Sequence, residues 1–257
     1  MWRALVAQHG IEKELFPELS KLSGRKIGDA AGVPSPRLLD GPIGVDDLRL
    51  DEYGDDFVIK PNWGASSRGV LVLHRESDSV FVNLFDEARL TQDEIRARLH
   101  RDVQLSGRGS VEDLLVEESM AVGGVLAQEW KAFTFYGQVG LIQQNVRSDG
   151  EILSKSYSRE WKDLGDVWIQ RRAVSSLPLP LAPEKILEAA EAISLEIPTG
   201  FIRVDLFETQ DGDVILGELC LTPGGERYYR NGLDRTLGRM WEEANVRVLS
   251  DGKTLIP

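Results

Sequence analysis

The sequence predicts an α+β fold in which β-hairpins and a few helices follow one another along the chain. Three observations support this prediction: a hairpin pattern over residues 200–221, a strand–loop–strand pattern over 57–73, and helical patterns elsewhere. The 257 residues are enough to bury a sizeable core in one large domain or in two closely packed lobes.

Helices are predicted where apolar residues recur at the helical period. The predicted ranges are 1–32 (divided at Pro17), 91–103, 183–197 and 233–244. Thr91 and Glu94 have the spacing of a capping box, which indicates a helix start. Pro183 suits the first turn of the next helix, because that position needs no backbone N–H donor. Residues 129–146 are predicted to form two strands around Gly137.

The hairpin pattern is centred on Asp211-Gly212, which is a strong signal for a two-residue turn between strands. With that turn, Gln210 pairs with Asp213. Counting back along both strands then places Asp205 directly opposite Glu218.

Alternation of side chains divides the hairpin into a polar face and an apolar face. The polar face contains Arg203, Asp205, Glu218 and Cys220, and the apolar face contains Ile202, Val204, Leu206, Leu219 and Leu221. The two carboxylates are then roughly 5 Å apart, and like charges in this position destabilise a sheet. A hard cation such as magnesium removes the conflict. The alternative is a solvated acidic face with Arg203 as counter-charge, and the hairpin alone does not choose between them.

The second motif has a strand that ends at Pro61 and carries Lys60, followed by a small, flexible loop from Gly64 to Gly69. Backbone N–H groups of such a loop can approach phosphate oxygens closely, and Lys60 and Arg68 add positive charge. The pattern is neither a Walker A motif nor a dinucleotide fingerprint. The alternative is an ordinary hairpin loop with a solvated lysine.

Composition excludes several classes of function. A net charge of −12 argues against non-specific binding of nucleic acid and against docking onto anionic membranes. No apolar run approaches the roughly 20 residues of a membrane span, and the N-terminus lacks a signal-peptide pattern. Cys220 is the only cysteine, so no internal disulfide forms and a cytoplasmic location is predicted.

The two motifs, in this order, resemble the ATP-grasp superfamily, and in more detail its branch of ligases associated with teichuronopeptide synthesis, often called TupA-like. The similarity covers roughly residues 25 to 243. The segments that carry it are Val58–Asn62, Leu114–Met120, Trp130–Gly137, Arg203–Leu206, Gly217–Gly224 and Leu237–Trp241.

The resemblance implies two α+β lobes that clasp Mg-ATP between antiparallel sheets. Its implied divisions are an N-terminal helical segment and lead-in over 1–56, a phosphate-loop lobe over 57–118, and a metal-binding and acceptor lobe over 119–257.

The resemblance also implies a role for each site residue. Asp205 and Glu218 would bind Mg²⁺, while Arg203 and Arg147 would be catalytic. The residues that would bind ATP are Lys60, Lys131, Glu117 and Glu118 together with the loop Gly64, Ala65, Ser66, Ser67, Arg68 and Gly69. One position departs from the pattern: many superfamily members carry a metal-binding asparagine where this chain has Cys220. This departure leaves open whether the chain has a second magnesium site.

The implied activity is an ATP-dependent carboxylate–amine ligase that forms an amide through an acyl-phosphate. Its substrates would be a small carboxylate and an amine, with an amino acid or a peptide among them. Three alternatives stay open: a phosphotransferase with a hydroxyl acceptor, a non-catalytic protein that binds Mg-ATP, and a structural protein with a calcium-binding hairpin.

Overall fold

The computed structural model of the chain describes residues 20–63, 67–106, 110–121, 125–148, 151–169, 172–174, 177–223 and 229–255. At 106, 146–148, 151, 152 and 172 it describes the backbone only. The described chain is α+β, as predicted, with two six-stranded sheets. No helix in these ranges is both long enough and apolar enough to cross a membrane.

The chain divides into two compact units. One is Pro36–Ala127, and the other combines the chain up to Ser35 with the chain from Gln128 onward. The described α-helices are α1 (Lys21–Ala30), α2 (Gln92–Ser106), α3 (Pro183–Glu196) and α4 (Leu233–Ser250). The strands are β1 (Leu38–Ile43), β2 (Asp56–Pro61), β3 (Leu71–Ser77), β4 (Val80–Asn83), β5 (Ala88–Leu90), β6 (Leu114–Glu118), β7 (Glu129–Thr134), β8 (Val139–Ser148), β9 (Glu151–Tyr157), β10 (Arg172–Ala173), β11 (Ile202–Glu208) and β12 (Val214–Cys220).

The unit Pro36–Ala127 contains an antiparallel sheet in the order β1-β6-β2-β3-β4-β5. Ile95 and Leu99 of α2 are buried in one apolar cluster with Phe57 and Phe81 of the sheet. The predicted capping box is confirmed: the Thr91 backbone N–H donates to Glu94 Oε2 at 2.8 Å, and the Glu94 N–H donates to Thr91 Oγ1 at 3.4 Å. The helix continues to Ser106, three residues beyond its predicted end.

This unit begins earlier and ends later than the lobe expected at 57–118. Residues 36–56 belong to it because β1 pairs with β6, instead of forming a lead-in to the N-terminal helices. The following unit resumes at Gln128 and not at 119. Of the predicted N-terminal helices, α1 lies within the described chain and residues 1–19 lie outside it.

The larger unit contains the sheet β10-β9-β8-β7-β11-β12. Its pairs are antiparallel except that the two-residue β10 runs parallel to β9. One face packs on α3 and α1, where Ile186 and Ile193 of α3 are buried with Trp130, Val204 and Leu206. Part of the other face packs on α4, which extends to Ser250 instead of ending near Ala244.

In the C-terminal hairpin Asp205 pairs with Glu218, as predicted, but the turn differs from the predicted one. The turn has three residues: the Thr209 N–H donates to Asp213 O at 2.9 Å, and Gly212 adopts a φ of +76°. The predicted Gln210–Asp213 pair is therefore wrong. A bulge corrects the offset, because Leu206 pairs with Leu216 while Asp205 pairs with Glu218. Gly217 is the extra residue.

Gly217 sits where a larger residue has no room. A Cβ there would lie 2.7 Å from Phe207 Cε2 and 3.2 Å from the Asp205 carbonyl oxygen. The predicted apolar face is confirmed in the core, and the bulge also brings Val214 and Leu216 into it. The buried residues of this face are Ile202, Val204, Leu206, Val214, Leu216, Leu219 and Leu221.

Two glycines of α1 provide a test of how this helix packs on β12. A Cβ at Gly28 would lie 2.7 Å from Leu216 Cδ2 and 2.8 Å from the Val33 carbonyl oxygen, whereas one at Gly24 would lie 3.7 Å from Leu219 Cδ1. We expect Gly28→Ala to lower the free energy of unfolding by about 1–3 kcal/mol through overpacking. Gly24→Ala should raise it by about 0.5–1 kcal/mol, because alanine favours the helix.

Urea unfolding of both variants beside the wild type measures the difference. Equal changes in the two variants would contradict the close contact at Gly28.

Candidate functional site

Three charged residues form a row across neighbouring strands of the larger sheet. Lys131 on β7 pairs with Asp205 on β11, and Asp205 pairs with Glu218 on β12. Directly paired residues of antiparallel strands have Cβ atoms about 4.5–5.5 Å apart on one face. Arg203 lies two residues before Asp205 on that face, opposite Cys220. The structure therefore brings together the predicted metal residues, Lys131 and Arg203.

Asp205 is fully buried between two cations. Arg203 donates from Nε to Oδ1 at 2.6 Å and from Nη2 to Oδ2 at 2.7 Å, and Lys131 Nζ donates to Oδ2 at 2.6 Å. Burial alone would raise the pKa of Asp205, but the charges of Arg203 and Lys131 outweigh it and lower the pKa. The carboxylate is therefore ionised at neutral pH.

Lys131 also contacts a carboxylate that the sequence reasoning missed. Its Nζ lies 2.6 Å from Glu129 Oε2 as well as 2.6 Å from Asp205 Oδ2. Burial lowers the pKa of Lys131, but these two carboxylates outweigh burial and raise it. The signal was present in the sequence, because Glu129 precedes Lys131 by two residues and so shares its face.

Glu218 is the more accessible of the two predicted metal residues. Its side chain is 36% exposed, and its Oε1 lies 3.8 Å from Nζ of Lys21 on α1. Sequence reasoning did not identify Lys21, since no local pattern connects α1 with a strand almost two hundred residues later. The packing of Gly24 and Gly28 on β12 places this end of the helix beside Glu218.

The carboxylates of Asp205 and Glu218 fit a magnesium ion, while Cys220 does not. The potential ligand atoms of these three residues lie within 4.8 Å of one another. Asp205 Oδ1 accepts a hydrogen bond from Arg203 and, as a carboxylate oxygen, has capacity for a cation as well. Burial, with the nearby charge of Glu218, raises the pKa of Cys220, so the group is a neutral thiol. A thiol is a soft ligand, and magnesium takes oxygen ligands.

Arg203 Nη2 lies 3.0 Å from Cys220 Sγ. In this structure Cys220 therefore contacts the arginine of the site, which also binds Asp205.

In the unit Pro36–Ala127, the structure pairs Lys60 with one of the two glutamates predicted to bind ATP. Lys60 Nζ lies 2.5 Å from Glu117 Oε2, and their side chains are 12% and 3% exposed. Glu118 points elsewhere, with its Oε2 accepting from Arg37 Nε at 3.3 Å, and it is exposed. Strand alternation explains the difference, since neighbouring residues of β6 face opposite sides of the sheet.

The predicted phosphate loop lies partly within the described chain. Ser67 and Gly69 have positive φ angles of 56° and 72°. Arg68 donates from Nη1 to the Leu105 carbonyl oxygen at 2.9 Å, and so contacts the end of α2. Gly64, Ala65 and Ser66 lie outside the described residues, as does the side chain of Arg147. The backbone of Arg147 lies in β8, where it pairs with Ile152.

Comparison with solved structures identifies the fold. The chain is 19% identical to D-alanine–D-alanine ligase from Bacillus anthracis, solved with ATP, at a TM-score of 0.54 that covers 91% of this chain and 67% of that one. It is 18% identical to VanG D-Ala:D-Ser ligase from Enterococcus faecalis, at a TM-score of 0.54 that covers 90% of this chain and 61% of that one. It is 15% identical to biotin carboxylase from Campylobacter jejuni, at a TM-score of 0.54 that covers 90% of this chain and 47% of that one. None of the curated proteins compared with the chain is a significant match.

These three structures share the ATP-grasp fold, and the chain spans about two thirds or less of the length of each. The family model described as TupA-like ATPgrasp matches residues 35–242, a range that includes Lys60, Lys131, Asp205 and Glu218. The chain therefore belongs to the TupA-like ATP-grasp family.

Proposed function

We propose that the protein is an ATP-dependent carboxylate–amine ligase that forms an amide bond through an acyl-phosphate. The observation that carries the proposal is the row of Lys131, Asp205 and Glu218 with Arg203 beside it. Two carboxylates and two cations on one sheet face suit a phosphoryl group and its metal. Amino acids or short peptides are the proposed substrates, because two of the similar structures are ligases named for D-alanine and D-serine.

The reaction has two displacements. A carboxylate oxygen of the first substrate attacks the γ-phosphorus of ATP, the bond to the bridging oxygen breaks, and ADP leaves. The nitrogen of the amine then attacks the acyl carbon, phosphate leaves, and the amine loses a proton. A bound magnesium ion would supply charge neutralisation at the phosphates. Neither displacement needs a nucleophile from the protein, and Cys220 is a partly buried neutral thiol.

The protein's own residues position and neutralise charge. Asp205 and Glu218 would hold the metal, and Lys131 and Arg203 would contact phosphate oxygens. In the structure these two cations bind Asp205, so the face is already charge-balanced without a nucleotide. We infer that Lys131 and Arg203 exchange part of these contacts for phosphate oxygens. In the other unit Lys60 would contact phosphate, with Glu117 as its present partner.

Glu218→Gln tests the metal assignment. The exposed position should let the variant fold, while the lost charge should weaken magnesium-dependent ATP binding by at least about tenfold, or 1.4 kcal/mol. Asp213→Asn is the matched control, since it removes a carboxylate at the turn of the same hairpin whose partner is the exposed Lys185 at 3.0 Å. Calorimetric titration of ATP with and without Mg²⁺ measures both. Wild-type affinity in Glu218→Gln would reject the assignment.

Variants of the Lys60–Glu117 pair can separate its effect on folding stability from its effect on ATP affinity. Lys60→Met removes the cation that lies 2.5 Å from the buried Glu117 carboxylate and should cost about 3 kcal/mol of folding free energy. The double variant Lys60→Met/Glu117→Gln removes both charges and should recover most of that loss. Its ATP affinity should stay below that of the wild type, because the phosphate contact is gone. Wild-type affinity in the stable double variant would show that Lys60 serves folding alone.

Product analysis tests the activity itself. The wild type with Mg-ATP should release ADP when both an acid and an amine are present, and should give a hydroxamate when hydroxylamine replaces the amine. A stable phosphorylated product with a hydroxyl compound would instead indicate a phosphotransferase. ATP binding with no ADP release across amino acids and dipeptides would contradict the ligase proposal.

A further inference from the structure

The polar face of the larger sheet has an uncharged half. Lys131 pairs with Gln143 on β8, and Gln143 pairs with Ser156 on β9. Two residues along these strands, Asn145 pairs with Ser154. The register of β8 and β9 is unbroken here, so all of these side chains share the face of Lys131. We call Gln143, Asn145, Ser154 and Ser156 the amide–hydroxyl strip.

Two oxygens of this strip are buried without a hydrogen-bond partner among the described residues. They are Asn145 Oδ1 and Ser154 Oγ, which belong to directly paired residues. Ser154 is 3% exposed. An unsatisfied buried oxygen destabilises the folded chain, and two beside each other are an unusual feature of a native sheet.

Two other buried hydroxyls of the same unit do have partners. Thr134 Oγ1 donates to the Ile202 carbonyl oxygen at 2.5 Å, and Ser194 Oγ accepts from the Gly137 N–H at 2.8 Å. Ser35 Oγ, Trp130 Nε1 and Trp161 Nε1 of this unit are also buried without a hydrogen-bond partner among the described residues. Asn145 and Ser154 differ from these groups because they are directly paired on neighbouring strands. They lie on the face that carries the charged row, and this position indicates a ligand.

We propose that Asn145 and Ser154 bind the amine substrate through its N–H groups. This inference rests on the proposed ligase function and names the side of the site where the second substrate lies. An amide oxygen accepts hydrogen bonds only, and a hydroxyl both accepts and donates, so the pair suits an N–H-rich group. Both groups are uncharged, so neither forms an ion pair that would hold the amine as an unreactive ammonium. The carboxylate of Glu129 on the same face is paired with Lys131 at 2.6 Å.

The spacing agrees with an amino acid or the end of a peptide. Lys131 and Asn145 are diagonal neighbours on adjacent strands, and such positions are about 7–8 Å apart. Long side chains and a small substrate span this distance. The amide of Asn145 can also donate to a carbonyl or carboxylate of the same molecule. The amine would then approach the acyl-phosphate from the uncharged half of the face.

The test is titration of amines into protein saturated with magnesium and a non-hydrolysable ATP analogue. The probes are the 20 common L-amino acids, D-alanine and glycylglycine. The proteins are the wild type, Ser154→Ala, Asn145→Leu and the control Ser35→Ala. Ser35 Oγ is likewise buried and unpartnered among the described residues, but it lies in the segment after α1, away from the strip. Removal of an unsatisfied hydroxyl should not lower the melting temperature in Ser154→Ala or Ser35→Ala.

At least one probe should bind the wild type and Ser35→Ala with equal affinity, and at least tenfold more weakly in Ser154→Ala and Asn145→Leu. Affinity for the ATP analogue should be the same in all four proteins. Equal amine affinity in all four, or no amine binding to a wild type that binds the analogue, would overturn this inference and leave the ligase proposal standing. A wild type that does not bind the analogue would overturn both.

Discussion

The buried carboxylate of Asp205 is the constraint on which the rest of the larger unit depends. A carboxylate with no exposure would cost several kcal/mol of folding free energy if it were unpaired. Arg203 and Lys131 remove that cost with three hydrogen bonds of 2.6–2.7 Å. The two bonds from Arg203 lie within β11, and the bond from Lys131 joins β7 to β11. These two strands must therefore hold their register for the charge of Asp205 to be balanced.

The same balance supports the proposal that this face binds a polyanion. Carboxylates and cations alternate along it, from Glu129 and Lys131 to Asp205 and Arg203, with Lys21 near Glu218 at its edge. A nucleotide with its metal brings charge of both signs, and can replace some of these contacts without leaving a charge unpaired. The preformed arrangement lowers the reorganisation needed on binding. It also makes each residue of the face hard to remove alone, because its partner then loses its counter-charge.

The sequence predicted the α+β fold, the site hairpin and its faces, since these follow from alternation over short distances. The Asp205–Glu218 pairing was correct through two compensating features: the turn has three residues instead of two, and the bulge at Gly217 adds one residue back. A turn motif fixes register only as far as the first bulge. The apolar pattern also changes parity at Gly217, from Leu219 to Leu216, and this change is the local signal that identifies the bulge.

What the sequence could not predict depends on contacts between distant segments. The positions of Lys21 beside Glu218 and of Lys60 beside Glu117 follow from packing and strand order. The amide–hydroxyl strip is different, because alternation alone places Asn145 and Ser154 on polar sides of their strands. What distinguishes Asn145 Oδ1 and Ser154 Oγ is that they are buried without a hydrogen-bond partner among the described residues. This can be recognised only when the positions of the surrounding side chains are known. A local sequence pattern can therefore identify charged residues that suit a phosphate or a metal. A site that binds its ligand through uncharged groups is found only by checking which buried polar atoms of the folded chain lack a hydrogen bond.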